Sequence, residues 1–158
     1  MKMRSKIKTL AVCIAIPLIV GGISALISRN SMETFQMLDK PALSPPGALF
    51  PIVWTVLYIL MGIASFLILT SDEDQEAIQS ALAAYALQLA VNFFWSIFFF
   101  NLGWYLFAFF WLVLLWLLIV VTIQRFTPIS LTAAYLMLPY LLWVTFAGYL
   151  NLSIYLLQ

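Results

Sequence analysis

The segment Trp104–Ile123 reads WYLFAFFWLVLLWLLIVVTI and contains no charged residue. An α-helix rises about 1.5 Å per residue, so about 20 residues cross the hydrocarbon core of a bilayer, which is about 30 Å thick. The segment therefore has the length and the polarity of a membrane-spanning helix. Four other segments meet the same requirements with few charges or none, and they are Ile7–Ile27, Leu49–Leu69, Ala77–Phe100 and Ile129–Leu156.

The composition of the whole chain agrees with these five segments. Of 158 residues, 65% are hydrophobic and 8% are charged, whereas an average soluble domain is about 45–50% apolar and about 25% charged. A soluble domain of this size buries only about 70% of its chain surface, so much of the apolar excess would face water and aggregate. We therefore predict an all-α integral membrane protein in which residues 1–158 form a single bundle of five transmembrane helices.

Charge and composition also exclude several classes of function. The formal net charge of +1 provides no basic face for nucleic acid. The chain has no histidine and a single cysteine, Cys13, so we expect no intrachain disulfide, no metal site and no bound cofactor. The spans contain no constellation of general acid, base and nucleophile, which argues against hydrolytic chemistry.

The loop at residues 29–48 differs from the short connections between the other spans. It carries Pro41, Pro45 and Pro46, which disfavour helix and favour a stiff, extended segment. We interpret this loop as a lid over one end of the bundle.

The distribution of basic residues predicts the orientation in the membrane, because cytoplasmic loops carry an excess of Lys and Arg. One side holds Lys2, Arg4, Lys6, Lys8 and Arg125, and the other holds Arg29 and Lys40. The amino terminus is therefore predicted to be cytoplasmic, with the lid loop and the carboxy terminus on the opposite side. The basic start and small residues of the first span also fit a secretory signal, so cleavage is the alternative to a retained span.

Polar and aromatic side chains follow one face of three spans at steps of three or four residues. They are Trp54, Tyr58, Met61 and Ser65 on the second span, Gln88, Asn92, Trp95 and Ser96 on the third, and Tyr135, Pro139, Trp143, Phe146, Ala147 and Asn151 on the fifth. Amides one turn apart offer donors and acceptors, and indoles offer flat faces and one N–H each. This combination suits a flat, largely apolar ligand with polar edges.

The same residues have alternative interpretations. Gln88 and Asn92 could hydrogen-bond a neighbouring helix, and the Trp and Tyr side chains could form interfacial belts. Ala147 either admits a neighbouring helix or leaves volume for a ligand, and Ala86 with Ala90 could form a dimer contact. Pro139 frees a backbone carbonyl inside the fifth span and allows a kink.

Four separated motifs carry a resemblance to a known family. They are KPALSPPG at residues 40–47, WTVLY at 54–58, QLAVNFFW at 88–95 and PYLLW at 139–143, the last followed by Phe146-Ala147 and Leu150-Asn151. The chain resembles the translocator protein family (TspO/MBR, the peripheral-type benzodiazepine receptor) in all five segments, in order.

The resemblance implies a five-helix bundle, often a homodimer, with a pocket open toward the first loop that binds porphyrins, sterols and synthetic ligands. In bacterial members, the tryptophans matching Trp54 and Trp143 are linked to light-dependent breakdown of protoporphyrin IX. Asn92 and Trp95 match the pocket wall, and Ala147 matches a small position that shapes affinity. The predicted ligand-binding residues are Phe35, Pro45, Pro46, Trp54, Tyr58, Gln88, Asn92, Trp95, Trp143, Phe146, Ala147 and Asn151, and the candidate catalytic residues are Trp54 and Trp143.

The sequence departs from the family pattern at three places. Leu43 stands where many members have a tryptophan, and Phe35 where some have a tyrosine, so the lid would contact a ligand differently. Tyr155 lacks the following basic residue of the carboxy-terminal cholesterol motif. Cholesterol recognition through that motif is therefore not expected.

The predicted function is a receptor or sensor, in a bacterial cell membrane, that binds tetrapyrroles such as protoporphyrin IX in an intramembrane pocket. A light-dependent porphyrin-degrading enzyme and a transporter of porphyrin or sterol are the alternatives. Ion-coupled carriers usually have ionisable groups in their spans and inverted repeats, and the sequence shows neither. A structural membrane protein without a specific ligand is the remaining alternative.

Overall fold

The computed structural model of the protein describes residues 2–31 and 36–158, and this part of the chain is helical without a β-strand. Five helical stretches are long and apolar enough to cross a membrane, which confirms the predicted all-α, five-span class. The helices are α1 (Met3–Ser28), α2 (Leu49–Leu69), α3 (Gln75–Ser96), α4 (Tyr105–Phe126), α5 (Leu131–Leu136) and α6 (Leu138–Leu157), and α5 and α6 together form the fifth span.

The fifth span is interrupted at Met137, between α5 and α6. Pro139 lies in the first turn of α6, where its missing N–H costs no helical hydrogen bond, whereas a proline within a continuous helix would break one. At the other end of α5, the Ser130 side chain accepts a hydrogen bond from the Ala133 backbone N–H and caps the helix. The break follows from the proline.

The end of α3 widens into a π-helical turn at Ile97–Asn101. The Leu102 N–H donates to the carbonyl of Ile97 at 3.0 Å, five residues back. The Asn101 side chain donates to the carbonyl of Ile27 at 3.0 Å. This bond ties the end of α3 to the end of α1.

Two glycines allow α1 and α2 to pack closely, because small residues let helix backbones approach one another in lipid. A Cβ at Gly62 would lie 2.5 Å from the Ile14 Cα on the facing helix. A Cβ at Gly21 would overlap the ring of Tyr58. The contact thus requires glycine on both helices.

The chain reverses direction with each span, so the last halves of α1, α3 and α6 lie at the same end of the bundle as the first half of α2. We call this end the lid end, because it also carries the described lid residues 36–48. Leu38 packs against a small buried cluster of Phe99, Ala108 and Ile154, and the Gln158 side chain donates to the carbonyl of Asp39 at 2.9 Å.

Candidate ligand-binding site

A cavity of about 230 Å³ lies inside the lid end of the bundle, between four of the five spans. Residues of α1, α2, α6 and the last part of the third span form its walls. The lining residues are Gly21, Ser24, Ala25, Ser28, Phe50, Pro51, Trp54, Tyr58, Asn92, Trp95, Ser96, Phe99, Phe100, Trp143, Ala147, Leu150, Asn151 and Ile154. No Asp, Glu, Lys or Arg is among them.

Aromatic rings dominate the walls. Trp54 stacks on Tyr58 with a centroid separation of 5.6 Å, and Trp95 stacks on Phe99 at 5.2 Å. Trp143 meets the ring of Phe50 edge-on at 5.8 Å. Three indoles from three spans therefore face one apolar space, and such rings hold a flat ligand by stacking.

A chain of hydrogen bonds leads from the cavity wall into the core. The Tyr58 hydroxyl donates to Asn92 Oδ1 at 3.2 Å, and Asn92 Nδ2 donates to the hydroxyl of Tyr140 at 2.6 Å. The Tyr140 hydroxyl in turn donates to Gln88 Oε1 at 2.7 Å. The two amides do converge on one point, but that point is the Tyr140 hydroxyl on a neighbouring helix.

Several other polar groups of the wall are also paired with protein atoms. Trp95 Nε1 donates to Asn151 Oδ1 at 3.0 Å, and Asn151 Nδ2 donates to the Tyr105 carbonyl at 2.8 Å. The hydroxyls of Ser28 and Ser96 lie 2.6 Å apart. A ligand therefore meets walls whose polar groups are largely satisfied, as expected for an apolar guest.

The indole N–H of Trp143 is an exception. Trp143 Nε1 is buried and has no hydrogen-bond acceptor among the described residues. A buried donor without an acceptor costs about 1–3 kcal/mol. Trp143 Nε1 has almost no accessible surface, so this N–H does not open onto the cavity that the Trp143 ring lines.

The cavity brings together seven of the residues expected from the sequence to contact a ligand: Trp54, Tyr58, Asn92, Trp95, Trp143, Ala147 and Asn151. Gln88 is fully buried in the bundle behind Tyr140 and does not line the cavity. Phe146 also lies outside the lining, where its ring packs against Trp143 at 5.6 Å.

Three of the expected ligand contacts belong to the lid. Pro45 and Pro46 are not among the lining residues, although the chain on either side of them, at Leu38 and Phe50, reaches the lid end of the bundle. Phe35 lies outside the described residues.

Sequence reasoning missed the contribution of α1. Gly21, Ser24, Ala25 and Ser28 line the cavity, and their spacing of three and four residues marks one small-residue face of a helix. The sequence does contain this signal, but part of it also matches the cleavage region of a secretory signal. Phe99 and Phe100 were missed for another reason, since the π-helical turn shifts the helical phase at that point.

The chemistry available to the site is stacking and hydrogen bonding. Within residues 2–31 and 36–158, no group of three or more His, Cys, Asp or Glu side chains is placed to hold a metal ion. Tyr58 is the titratable residue in the cavity lining, and its hydroxyl donates a hydrogen bond to Asn92 Oδ1.

Comparison with known proteins gives the same assignment over almost the whole chain. The model of the TspO/MBR family matches residues 13–157. The tryptophan-rich protein TspO of Chlorobaculum tepidum is 39% identical over 153 residues, which cover 96% of this chain and 97% of that protein.

More distant relatives also match over most of their length. Protein CrtK of Rhodobacter capsulatus is 37% identical, with 85% of this chain and 83% of that protein covered. The translocator protein of Bos taurus is 33% identical, with coverage of 86% and 82%. On this evidence the chain, a five-span membrane protein, belongs to the TspO/MBR family.

Proposed function

We propose that this protein is a membrane receptor or sensor that binds a tetrapyrrole of the protoporphyrin IX class in the lid-end cavity. The observation that carries the proposal is the convergence of Trp54, Trp95 and Trp143 on one apolar space without a charged lining residue. A planar macrocycle offers large π-faces to these rings.

The size of the cavity implies that the walls move when such a ligand enters. Ligand pockets usually measure about 300–1,000 Å³, and the cavity here is about 230 Å³. A tetrapyrrole therefore needs additional volume. The lid end is the place to gain it, since Phe50 and Pro51 at the start of α2 connect directly to the lid segment.

Ala147 and Gly148 provide a matched pair of variants to test the site. Ala147 lines the cavity, whereas a Cβ added at Gly148 meets no atom within 4 Å. We expect protoporphyrin IX to quench tryptophan fluorescence saturably in the wild type and in Gly148→Leu reconstituted in nanodiscs. Ala147→Leu should lower the affinity at least about tenfold, because the added side chain fills the space of the ligand.

A second pair tests the role of the indole. Trp143→Phe should weaken binding, while Trp116→Phe should not, because Trp116 lies on the outer surface and bonds to Thr145. Empty nanodiscs measure how much porphyrin partitions into lipid. Equal affinities of Ala147→Leu, Trp143→Phe and the wild type would refute the assignment of the cavity.

A photochemical reaction is the second candidate function, because Trp54 and Trp143 line the same cavity. Light-excited porphyrin and molecular oxygen would supply the oxidising power, and the indoles would serve as nearby electron donors. The test is the loss of porphyrin absorbance under illumination in the presence of oxygen. Bleaching at the same rate by wild type, Trp54→Phe and Trp143→Phe would eliminate this candidate.

We also propose that the amino terminus faces the cytoplasm of a bacterial cell and that the lid end faces the opposite side. The excess of Lys and Arg at the amino-terminal end supports this orientation. Two reporters fused after Gln158, one active only inside the cytoplasm and one active only outside it, would decide between the two orientations.

A homodimer is a further proposal, supported by the exposed Ala86 and Ala90 on the outer face of α3. Small residues spaced by four allow a second helix to approach closely. Ala86→Leu combined with Ala90→Leu should shift the protein to monomer in light-scattering measurements. An unchanged mass would place any dimer contact elsewhere.

A further inference from the structure

The amino-terminal turns of α1 carry four cations, Lys2, Arg4, Lys6 and Lys8, which we call the basic collar. All four side chains are exposed. Successive helical residues are rotated by about 100°, so cations two residues apart point to nearly opposite sides of the helix. The collar therefore surrounds α1 with positive charge on more than one side.

Within residues 2–31 and 36–158, no acidic side chain forms an ion pair with the collar. None of its four side chains makes an ion pair or a hydrogen bond with another described residue. The acids nearest in topology are Asp72, Glu73 and Asp74 in the loop between α2 and α3, and Glu76 in the first turn of α3. They belong to the same end of the bundle but form no ion pair with the collar.

The helix terminus adds to the unbalanced positive charge. The amino end of a helix carries a partial positive charge, and cations there are destabilising. The first turn of α1 has no acidic residue, and Lys2 at the cap position provides no side-chain hydrogen bond. Unpaired backbone N–H groups and four cations thus point to an external anion as their partner.

The packing of α1 on α2 places the collar at the membrane boundary. Gly62 faces Ile14, and Gly21 faces Tyr58, so the end of α2 at Leu69 is roughly level with Ile7. Residues 2–6 therefore project past the end of α2. This is the depth at which lipid headgroups surround a spanning helix.

We propose that the basic collar binds the phosphate groups of anionic phospholipids in the leaflet at the end of the bundle opposite the lid. Clusters of Lys and Arg next to a spanning helix attract anionic lipids through charge. The four collar side chains are charged and exposed, they lie at the end of α1, and no ion pair with them is formed by residues 2–31 and 36–158. This surface lies at the other end of the bundle from the tetrapyrrole cavity, so it does not depend on the ligand proposed there.

Spin-labelled phosphatidylglycerol and phosphatidylcholine test the proposal in nanodiscs, where both faces of the protein contact the same lipids. We expect the wild type to associate with the phosphatidylglycerol label at least about twofold more strongly than with the phosphatidylcholine label at low salt. The preference should shrink in 0.5 M NaCl, because salt screens exposed charges.

Substitutions assign the preference to the collar. The variant K2Q/R4Q/K6Q/K8Q should lose it, whereas Arg29→Gln, at the lid end, should keep it. If the quadruple variant does not fold, Lys6→Gln and Lys8→Gln should each reduce the preference in part, and Lys6→Arg should retain it. A wild type without a preference, or neutralised variants with the full preference, would overturn the proposal.

Discussion

The hydroxyl of Tyr140 determines how Asn92 presents its amide to the cavity. Tyr140 is fully buried and donates its proton to Gln88 Oε1. Its oxygen can therefore only accept from Asn92, and this fixes Nδ2 on the core side and turns Oδ1 toward Tyr58. Tyr140 thus acts as a positioning residue for a side chain of the cavity wall.

Removal of this hydroxyl should destabilise the protein. Tyr140→Phe leaves Gln88 Oε1 and Asn92 Nδ2 without their partner, at a cost of about 1–3 kcal/mol for a buried unpaired group. Thermal unfolding in detergent should show a lower midpoint for Tyr140→Phe than for Tyr149→Phe, whose ring is 42% exposed. Equal unfolding midpoints for the two variants would contradict this hydrogen-bond network.

A second residue-scale prediction concerns the glycines of α1 and α2. Gly62→Ala should lower the unfolding midpoint, because its Cβ would lie 2.5 Å from the Ile14 Cα and the two helices would have to separate. Gly22→Ala should be neutral or stabilising, since its Cβ meets nothing within 4 Å and alanine is a better helix former by about 1 kcal/mol. A neutral Gly62→Ala would show that the interface tolerates separation.

At the scale of elements, the described lid residues 36–48 contact the rest of the bundle at Leu38 and Asp39. Leu38 packs against the cluster of Phe99, Ala108 and Ile154, and the Gln158 side chain donates to the Asp39 carbonyl. The end of α6 is thus connected to the lid segment. The lid segment continues into the start of α2, whose first residues line the cavity. These contacts would have to loosen for a large ligand to pass.

Weakening them should therefore speed the exchange of ligand. We expect Leu38→Ala to raise the dissociation rate of protoporphyrin IX several-fold in stopped-flow fluorescence, because the lost apolar contact favours the open lid. Met37→Ala is the control, since Met37 is 89% exposed. Identical dissociation rates for both variants and the wild type would mean that ligand leaves by another route.

At the scale of the molecule, the paired polar groups hold five spans together in a solvent that offers no hydrogen bonds. The bonds between Trp95 and Asn151, and between Asn92 and Tyr140, join α3 to α6 around the cavity. A ligand seated between these helices contacts the folded state only. It should therefore stabilise the entire bundle.

The thermal stability of the whole protein tests this linkage. Ligand at 100 times its dissociation constant should stabilise the wild type by about 2.7 kcal/mol. At the same ligand concentration, the unfolding midpoint of Gly148→Leu should rise as much as that of the wild type. The midpoint of Ala147→Leu should rise by about half as much or less, because only this side chain occupies the cavity and weakens binding. An equal rise in both variants would indicate a site outside the cavity.

The sequence by itself determined the five spans and the faces that carry Trp54, Trp95 and Trp143. Hydrophobic length and helical period are local properties, and lipid permits few folds other than helices. The sequence allowed a kink at Pro139, and the structure interrupts the fifth span at Met137, two residues before this proline. A proline acts on its own helix wherever that helix packs.

Only the tertiary structure decided which groups on those faces meet. A helical period identifies a helix face but not the helix that packs against it. From the sequence, Gln88 and Asn92 were therefore equally plausible ligand contacts. In the structure, Gln88 Oε1 accepts a hydrogen bond from the buried Tyr140 hydroxyl. The small-residue face of α1 likewise became a cavity wall only through its packing beside α2 and α3. Contacts between distant segments depend on side-chain fit in three dimensions, which no local pattern encodes.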